Sequence, residues 1–234
     1  MNRKIIITGA SGGIGLSLTK KLLSEGDRII ACANRHPEEL MELPVEVFTG
    51  NLSSPEGVTA LFDLVKETFT VPDVLINNAG MADFNLLQDS SDDNYLNILH
   101  TNLSSCVRCS KEVVRLMLRN HSGIILNISS VWGQVGASME VEYSTTKGGM
   151  DAFTKALSKE VAPSGIRVNA LSLGAIDTAM NSSHLSSDDL LSLTEEIPAG
   201  RLGRPEEVAD MVSLLLKAPE YLNGAVIKFD GAWI

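Results

Sequence analysis

The stretch Ile5-Ile6-Ile7-Thr8-Gly9-Ala10-Ser11-Gly12-Gly13-Ile14-Gly15 decides the fold. Three consecutive aliphatic residues predict a short buried strand. The glycines that follow allow a tight turn, and Leu16, Leu18, Leu22 and Leu23 then recur at helical spacing. The order is strand, glycine turn, helix. Glycine lets backbone N–H groups approach a pyrophosphate closely, and the helix N-terminus adds unsatisfied donors and a positive dipole end. The spacing is G-x-x-x-G-x-G rather than G-x-G-x-x-G, and a glycine cluster alone is a weak signal that also fits a turn packing a helix on a sheet. At the first strand–helix junction of an alternating chain, the nucleotide site is the better reading.

The alternation continues outward. Arg28–Ala33 and Val45–Phe48 read as the second and third strands, and Asp73–Asn77 as the fourth. Pro55 to Phe69 has the pattern of a surface helix, with Ser54 as N-cap and Val58, Leu61, Phe62 and Val65 on one face. Asp92 to Asn120 carries two helical stretches around Asn102. Gly123–Ile128 and Ile166–Leu171 are further strands, separated by a long helix from Val141 to Val161. Pro205 opens another helix, with Val208, Met211, Val212 and Leu215 inward, and Ala225–Phe229 is the seventh strand. Strands alternating with helices give an α/β fold, a doubly wound seven-stranded parallel sheet covered on both faces. Residues 1–234 read as a single domain. The least regular stretch, 177–201, reads as a substrate lid beside the binding crevice.

Composition narrows the function classes. The net charge of −10 disfavours nucleic acid as a partner. No apolar run is long enough to span a membrane. Met1-Asn2-Arg3-Lys4 runs straight into a strand, so no signal peptide is read and a cytoplasmic location is expected. Cys32, Cys106 and Cys109 are an odd number, against a disulfide framework. Cys106 and Cys109 have redox-motif spacing but lie in a helical stretch, where they read as packed small residues. His36, His100, His121 and His184 show no ligand spacing, and no metal site is expected.

The chemistry concentrates near the long helix. Tyr143 and Lys147 stand at i and i+4, on one helix face. A phenol near pKa 10 is a poor acid–base group at neutral pH, and a nearby ammonium lowers that value. Ser130 falls at the end of the fifth strand, where parallel sheets bind ligands, with Ser129 as its neighbour and competitor. No Gly-x-Ser-x-Gly elbow is present, so the serine is read as a carbonyl-polarising donor and not as a nucleophile.

Together, Thr8-Gly-Ala-Ser-Gly-Gly-Ile-Gly15, Asn77-Asn-Ala-Gly80, Asn102, Ser130, Tyr143-x-x-x-Lys147 and Asp230-Gly231 resemble the short-chain dehydrogenase/reductase family in type and order, over essentially the whole chain. The resemblance implies a Rossmann fold binding a nicotinamide dinucleotide. It implies Tyr143 as proton donor to the substrate oxygen and Ser130 as the group that positions the carbonyl. Lys147 would hold the nicotinamide ribose and depress the Tyr143 pKa, and Asn102 would kink its helix and hold a water. Gly9, Ser11, Gly12, Gly13, Ile14 and Gly15 would take the pyrophosphate side, and Asn78, Ala79 and Gly80 the floor by the adenosine ribose. Asn51 and Leu52 would meet the adenine, and Gly174, Ile176 and Thr178 the nicotinamide carboxamide. The chain departs from the family pattern at Asn51, where an Asp is usual, at Leu173, where a Pro is usual, and at Ala232, where a second glycine is usual.

The end of the second strand reads Cys32-Ala33-Asn34-Arg35-His36, with no carboxylate for the ribose hydroxyls and one guanidinium. That favours NADPH, with Asn34 and Arg35 at the extra phosphate and Ser11 adding a hydroxyl. Within the family the chain resembles 3-oxoacyl-(acyl-carrier-protein) reductases, through Ile197-Pro-Ala-Gly-Arg-Leu-Gly-Arg-Pro-Glu-Glu-Val208. Against a carrier protein as partner stands the acidity of this chain, although Lys111, Arg115 and Arg119 offer a basic patch. Trp132 to Val141 is similar to the loop of bacterial reductases that act on a 5-aminopentanone group attached to elongation factor P, whose amine Glu140 or Glu142 would pair near the entrance. A ketone, free or carrier-bound, is the expected substrate. The competing class is a non-catalytic NADP-sensing regulator on the same fold, disfavoured because Asn102, Ser130, Tyr143 and Lys147 are all present. The resemblance also implies a homotetramer, built partly on the two long helices.

Overall fold

The computed structural model describes residues 2–178 and 187–234. Its seven strands are β1 (Lys4–Ile7), β2 (Arg28–Ala33), β3 (Glu46–Thr49), β4 (Val74–Asn77), β5 (Gly123–Ser130), β6 (Ile166–Leu173) and β7 (Val226–Phe229). All pairings are parallel, in the order β3-β2-β1-β4-β5-β6-β7. The order turns back between β1 and β4, which opens a crevice at the carboxyl ends of the strands. This is the doubly wound Rossmann arrangement.

The helices are α1 (Gly13–Ser24), α2 (Glu38–Met41), α3 (Pro55–Phe69), α4 (Asp92–Leu99), α5 (Ser105–Met117), α6 (Trp132–Val135), α7 (Val141–Val161), α8 (Ser187–Glu196) and α9 (Pro205–Leu216). Period-two alternation sends Ile5 and Ile7 to one face of the sheet and Ile6 to the other. On the first face, Leu18 and Leu22 of α1 pack with Val208 and Val212 of α9. On the second, Leu61 and Phe62 of α3 and Val113 of α5 close a separate core. Ser54 caps α3 by accepting from the Gly57 N–H at 3.1 Å, with Pro55 in the first turn, as the sequence predicts.

Two stretches differ from expectation. β5 and β6 run two residues further, to Ser130 and Leu173, because they pair with each other from Gly123 and Ile166 to those last residues, while β7 pairs with the end of β6. As read, two helical stretches flank Asn102, and one π-helical turn, His100–Ser104, joins α4 to α5 there. The stretch 177–201, expected to be irregular, contains α8. Residues 179–186 of that expected lid, with His184, lie outside the described residues.

Candidate active site

Gly9 sits at φ +63°, a conformation open to glycine. A Cβ there would come within 2.7 Å of Ala79 Cα, so the glycine permits close backbone approach. Thr8 locks the two turns together. Its hydroxyl accepts from the Asn78 and Ala79 N–H groups at 3.0 Å, and the Asn78 amide donates to the carbonyls of Thr8 and Gly9. Gly12 and Gly13 lie exposed at the start of α1, with Ile14 half-buried and Gly15 buried behind them. Thr178 reaches the same turn from the far end of the chain: a Cβ on Gly13 would lie 3.3 Å from Thr178 Cγ2.

A cleft of about 350 Å³ continues from this turn, lined by Gly9, Ala33, Asn34, Asn51, Leu52 and Ala79. The close backbone approach at Gly9 and Gly15 is the cradle that a dinucleotide's phosphates and adenosine require. Leu52 is buried, and Asn51 Oδ1 already accepts from the Ser53 N–H at 2.9 Å. Asn34 and Arg35 are exposed at the end of β2, and the Ser11 hydroxyl donates to the Arg35 carbonyl at 3.3 Å. On the other side of the crevice, Gly174 lies against Asp230, and its N–H donates to the Phe229 carbonyl at 3.0 Å. Ile176 is buried and forms a single bridge with Gly203.

Past the end of β5, Ser130, Tyr143, Lys147 and Asn102 come together. The Ser130 hydroxyl acts on the Tyr143 phenol, opposing the rise of its pKa, and it accepts from the Trp132 N–H at 3.2 Å. Lys147 Nζ lies 5.5 Å from the Tyr143 ring centroid and donates to the Ile128 carbonyl at 2.8 Å. Burial lowers the Lys147 pKa to about 8. Burial pushes the Tyr143 phenol well above its ordinary value; the Ser130 hydroxyl opposes that shift and the Glu140 charge adds to it. Lys147, expected to depress the phenol, is not among the groups that shift it, and removal from water dominates. The consequence is a phenol held protonated at neutral pH.

Asn102 is buried at the π turn with its side chain fully engaged: Oδ1 accepts from the Met81 N–H at 2.8 Å, and Nδ2 donates to the Met81 carbonyl and to Thr146 Oγ1. Gly80 lies beside it, where a Cβ would be 3.6 Å from Asn102 Oδ1 and 3.7 Å from Lys147 Nζ.

Glu140, expected near an entrance, is 8 % exposed. Burial raises its carboxyl to about 7, opposed by a bond from Trp132. It lines a second cleft of about 220 Å³ with Asp83, Leu87, Met139 and Glu142. Sequence reasoning also missed Thr8 and the polar chain beneath the site, in which the Asn77 amide donates to Asn127 Oδ1 and the Asn127 amide donates to Thr154 Oγ1, both at 2.8 Å. Short polar residues within apolar strands are the one signal that marks that chain. Cys106 and Cys109 are buried free thiols, each raised by burial to about 12, which suits packing and not redox chemistry.

Comparison with known proteins agrees with this geometry. A family model described as short chain dehydrogenase matches residues 3–189. The chain is 34% identical over 244 residues to the Bacillus subtilis protein named uncharacterized oxidoreductase YmfI, covering 100% of this chain and 99% of that one. It is 33% identical over 232 residues to the 3-oxoacyl-(acyl-carrier-protein) reductase FabG of Salmonella typhimurium, covering 97% and 95%. The same coverage holds at 35% identity over 235 residues for FabG of Pseudomonas aeruginosa. The chain belongs to the short-chain dehydrogenase/reductase family, and is an NAD(P)H-dependent oxidoreductase of CH–OH and C=O groups.

Proposed function

We propose that the protein uses NADPH to reduce a ketone to a secondary alcohol, with a 3-oxoacyl thioester on a carrier as the substrate class. The observation that carries this reading is the grouping of Ser130, at the end of β5, with Tyr143 and Lys147 of α7, the Lys147 Nζ 5.5 Å from the Tyr143 ring. When bound, the dinucleotide supplies hydride. Ser130 orients the carbonyl oxygen toward Tyr143, and the phenol, kept protonated by burial, donates its proton to the forming alkoxide. The Lys147 ammonium then stabilises the phenolate that results. Asn102 holds the turn against which Lys147 packs.

The exposed Arg35 guanidinium and the absence of a carboxylate at the end of β2 support NADPH over NADH. The reading extends to a cytoplasmic homotetramer. Oxidation of NADPH by acetoacetyl thioester tests it. Tyr143→Phe is expected to lower kcat by about 10²–10⁴-fold while NADPH binding stays within threefold. Turnover unaffected by Tyr143→Phe would leave the regulatory reading standing instead.

A second reading is favoured by one observation. The cleft beside Tyr143 carries three carboxyl groups, Asp83, Glu140 and Glu142, and no cation among its lining residues. That wall suits a ketone bearing an amine, as in the 5-aminopentanone group attached to elongation factor P. Parallel assays with acetoacetyl thioester and with the modified elongation factor separate the two substrates.

A further inference from the structure

The two tryptophans of the chain, Trp132 and Trp233, lie far apart in sequence and meet in the fold. Their ring centroids are 4.8 Å apart at an interplanar angle of 64°, an edge-to-face contact. Both residues are half-buried. The chemistry proposed for the site does not use this pair, yet one member is joined directly to it: the Trp132 N–H donates to Ser130 Oγ at 3.2 Å. A hydroxyl whose oxygen accepts from the backbone keeps its own proton to donate, which is what a carbonyl-orienting serine requires.

Both partners are held from behind. The short helix α6 begins at Trp132 and is pressed on α7, where a Cβ on Gly133 would lie 2.7 Å from the Lys147 carbonyl carbon. Gln134 Nε2 donates to Ser172 Oγ of β6 at 2.8 Å. Past β7, the Trp233 N–H donates to the Asp230 carbonyl at 3.2 Å, and the Asp230 carboxylate accepts from the Ala232 and Ile234 N–H groups at 3.1 Å. This turn sits at the crevice, with Asp230 against Gly174 and the Gly231 carbonyl accepting from the Ala199 N–H at 3.1 Å. Ala232 has φ +68°, uncommon for a residue with a Cβ and kept only where the surroundings impose it. The turn presents Trp233 in one place, and that place is the Trp132 ring.

We propose that Trp233 is a positioning residue for Ser130: its ring buttresses Trp132, whose N–H fixes the Ser130 hydroxyl, so that the turn after β7 belongs to the ketone-reducing machinery. The inference rests on the ketone-reductase reading. The carbonyl oxygen gains charge only during reduction, so a loosened Ser130 weakens the transition state more than the bound ketone. The effect therefore falls on kcat and not on KM.

The test is steady-state ketone reduction by wild type, Trp233→Ala, Trp233→Phe, Ser130→Ala and the variant carrying both Ser130→Ala and Trp233→Ala, with circular dichroism of the cofactor-free proteins. Trp233→Ala is expected to lower kcat by about tenfold, with KM for the ketone and Kd for NADPH within about twofold of wild type. In the Ser130→Ala background the same substitution is expected to change kcat by less than about twofold, because the group it acts through is gone. Trp233→Phe, which keeps an aromatic edge, is expected to recover most of the loss. A fall in kcat equal in both backgrounds overturns the proposal, as does an unchanged kcat in Trp233→Ala or a rise confined to KM. Two indoles in contact give an exciton couplet in circular dichroism, which Trp233→Phe is expected to abolish while the helical signal stays. A wild-type protein without the couplet also overturns the proposal. Wild type that reduces no ketone would fault the underlying reading instead, while the couplet still decides whether Trp233 seats on Trp132.

Discussion

Asn102 and Met81 exchange two hydrogen bonds, the Met81 N–H donating to Asn102 Oδ1 and the Asn102 amide donating to the Met81 carbonyl, both at 2.8 Å. The side chain thereby pairs with backbone as a neighbouring strand would, and fixes the chain leaving β4 against the π turn. Asn102→Ala removes both bonds and the one to Thr146. The expected cost is about 1–3 kcal/mol of stability and at least a tenfold loss of kcat, read by urea denaturation and steady-state assay. A variant with wild-type kcat would show that the clamp does not serve the site.

The proposed preference for NADPH is tested at Arg35. Its side chain is exposed, and its carbonyl accepts from the Ser11 hydroxyl, which ties it to the glycine turn. On the proposed NADPH reading, Arg35→Asp replaces a guanidinium that would attract the extra phosphate with a carboxylate that would repel it. The NADPH/NADH ratio of kcat/KM is expected to fall by about 10–100-fold in this variant. An unchanged ratio would remove Arg35 from the phosphate site.

Glu140 makes stability depend on pH. Burial raises its folded-state pKa from 4.5 to about 7, so the native protein binds this proton more tightly than the unfolded chain. The contribution is fully present below pH 4.5 and is lost as pH rises through 7. Glu140→Gln cannot ionise. Its stability relative to wild type is therefore expected to rise between pH 5 and pH 8 by roughly 2–4 kcal/mol. Denaturant midpoints at the two pH values measure this, and parallel curves would place the carboxyl in water.

The opposite sign holds at the other end of the sheet. Burial pushes the Glu25 carboxyl up, but bonds from Lys217 and Ser213 and the charges of Lys217 and Lys21 outweigh it and hold the group at about 2. The Ser213 hydroxyl and Lys217 Nζ lie 2.6 and 2.7 Å from its two oxygens, joining α1 to α9. That stability is present above pH 4.5 and is lost as pH falls toward 2. Glu25→Gln is expected to cost about 1 kcal/mol at pH 7 after solvent screening, with the difference closing below pH 3 and KM unchanged. A loss that persists at pH 2.5 would mean packing and not charge.

What the sequence makes legible is local. The glycine turn, the Ser54 cap and the helix from Val141 to Val161 each follow from residues within one or two turns of one another, and each forms as read. The reading fails where distant parts of the chain decide. Glu140 follows an exposed Met139 in a loop, and only Trp132 and the surrounding cleft bury it. The helical spacing puts Lys147 on the face of Tyr143, but it cannot report that the ammonium also donates to the Ile128 carbonyl of β5, nineteen positions earlier. The Ser, Asp and Leu composition of α8 reads as irregular because its hydroxyls and carboxylates favour turns as well as helix starts.

The bridge between Ile176 and Gly203 pinches the chain at the rim of the crevice. The Asp177 N–H donates to the Gly203 carbonyl at 2.8 Å, and the Gly203 N–H donates to the Ala175 carbonyl at 2.9 Å. Residues Ala175 to Asp177 are thus fastened to Gly203 at one buckle. Loop closure depends only weakly on length. The span between Asp177 and Gly203 also sets Thr178 against the glycine turn and donates the Ala199 N–H to the Gly231 carbonyl at 3.1 Å, so a change of length there is cheap in closure entropy only where both contacts are kept.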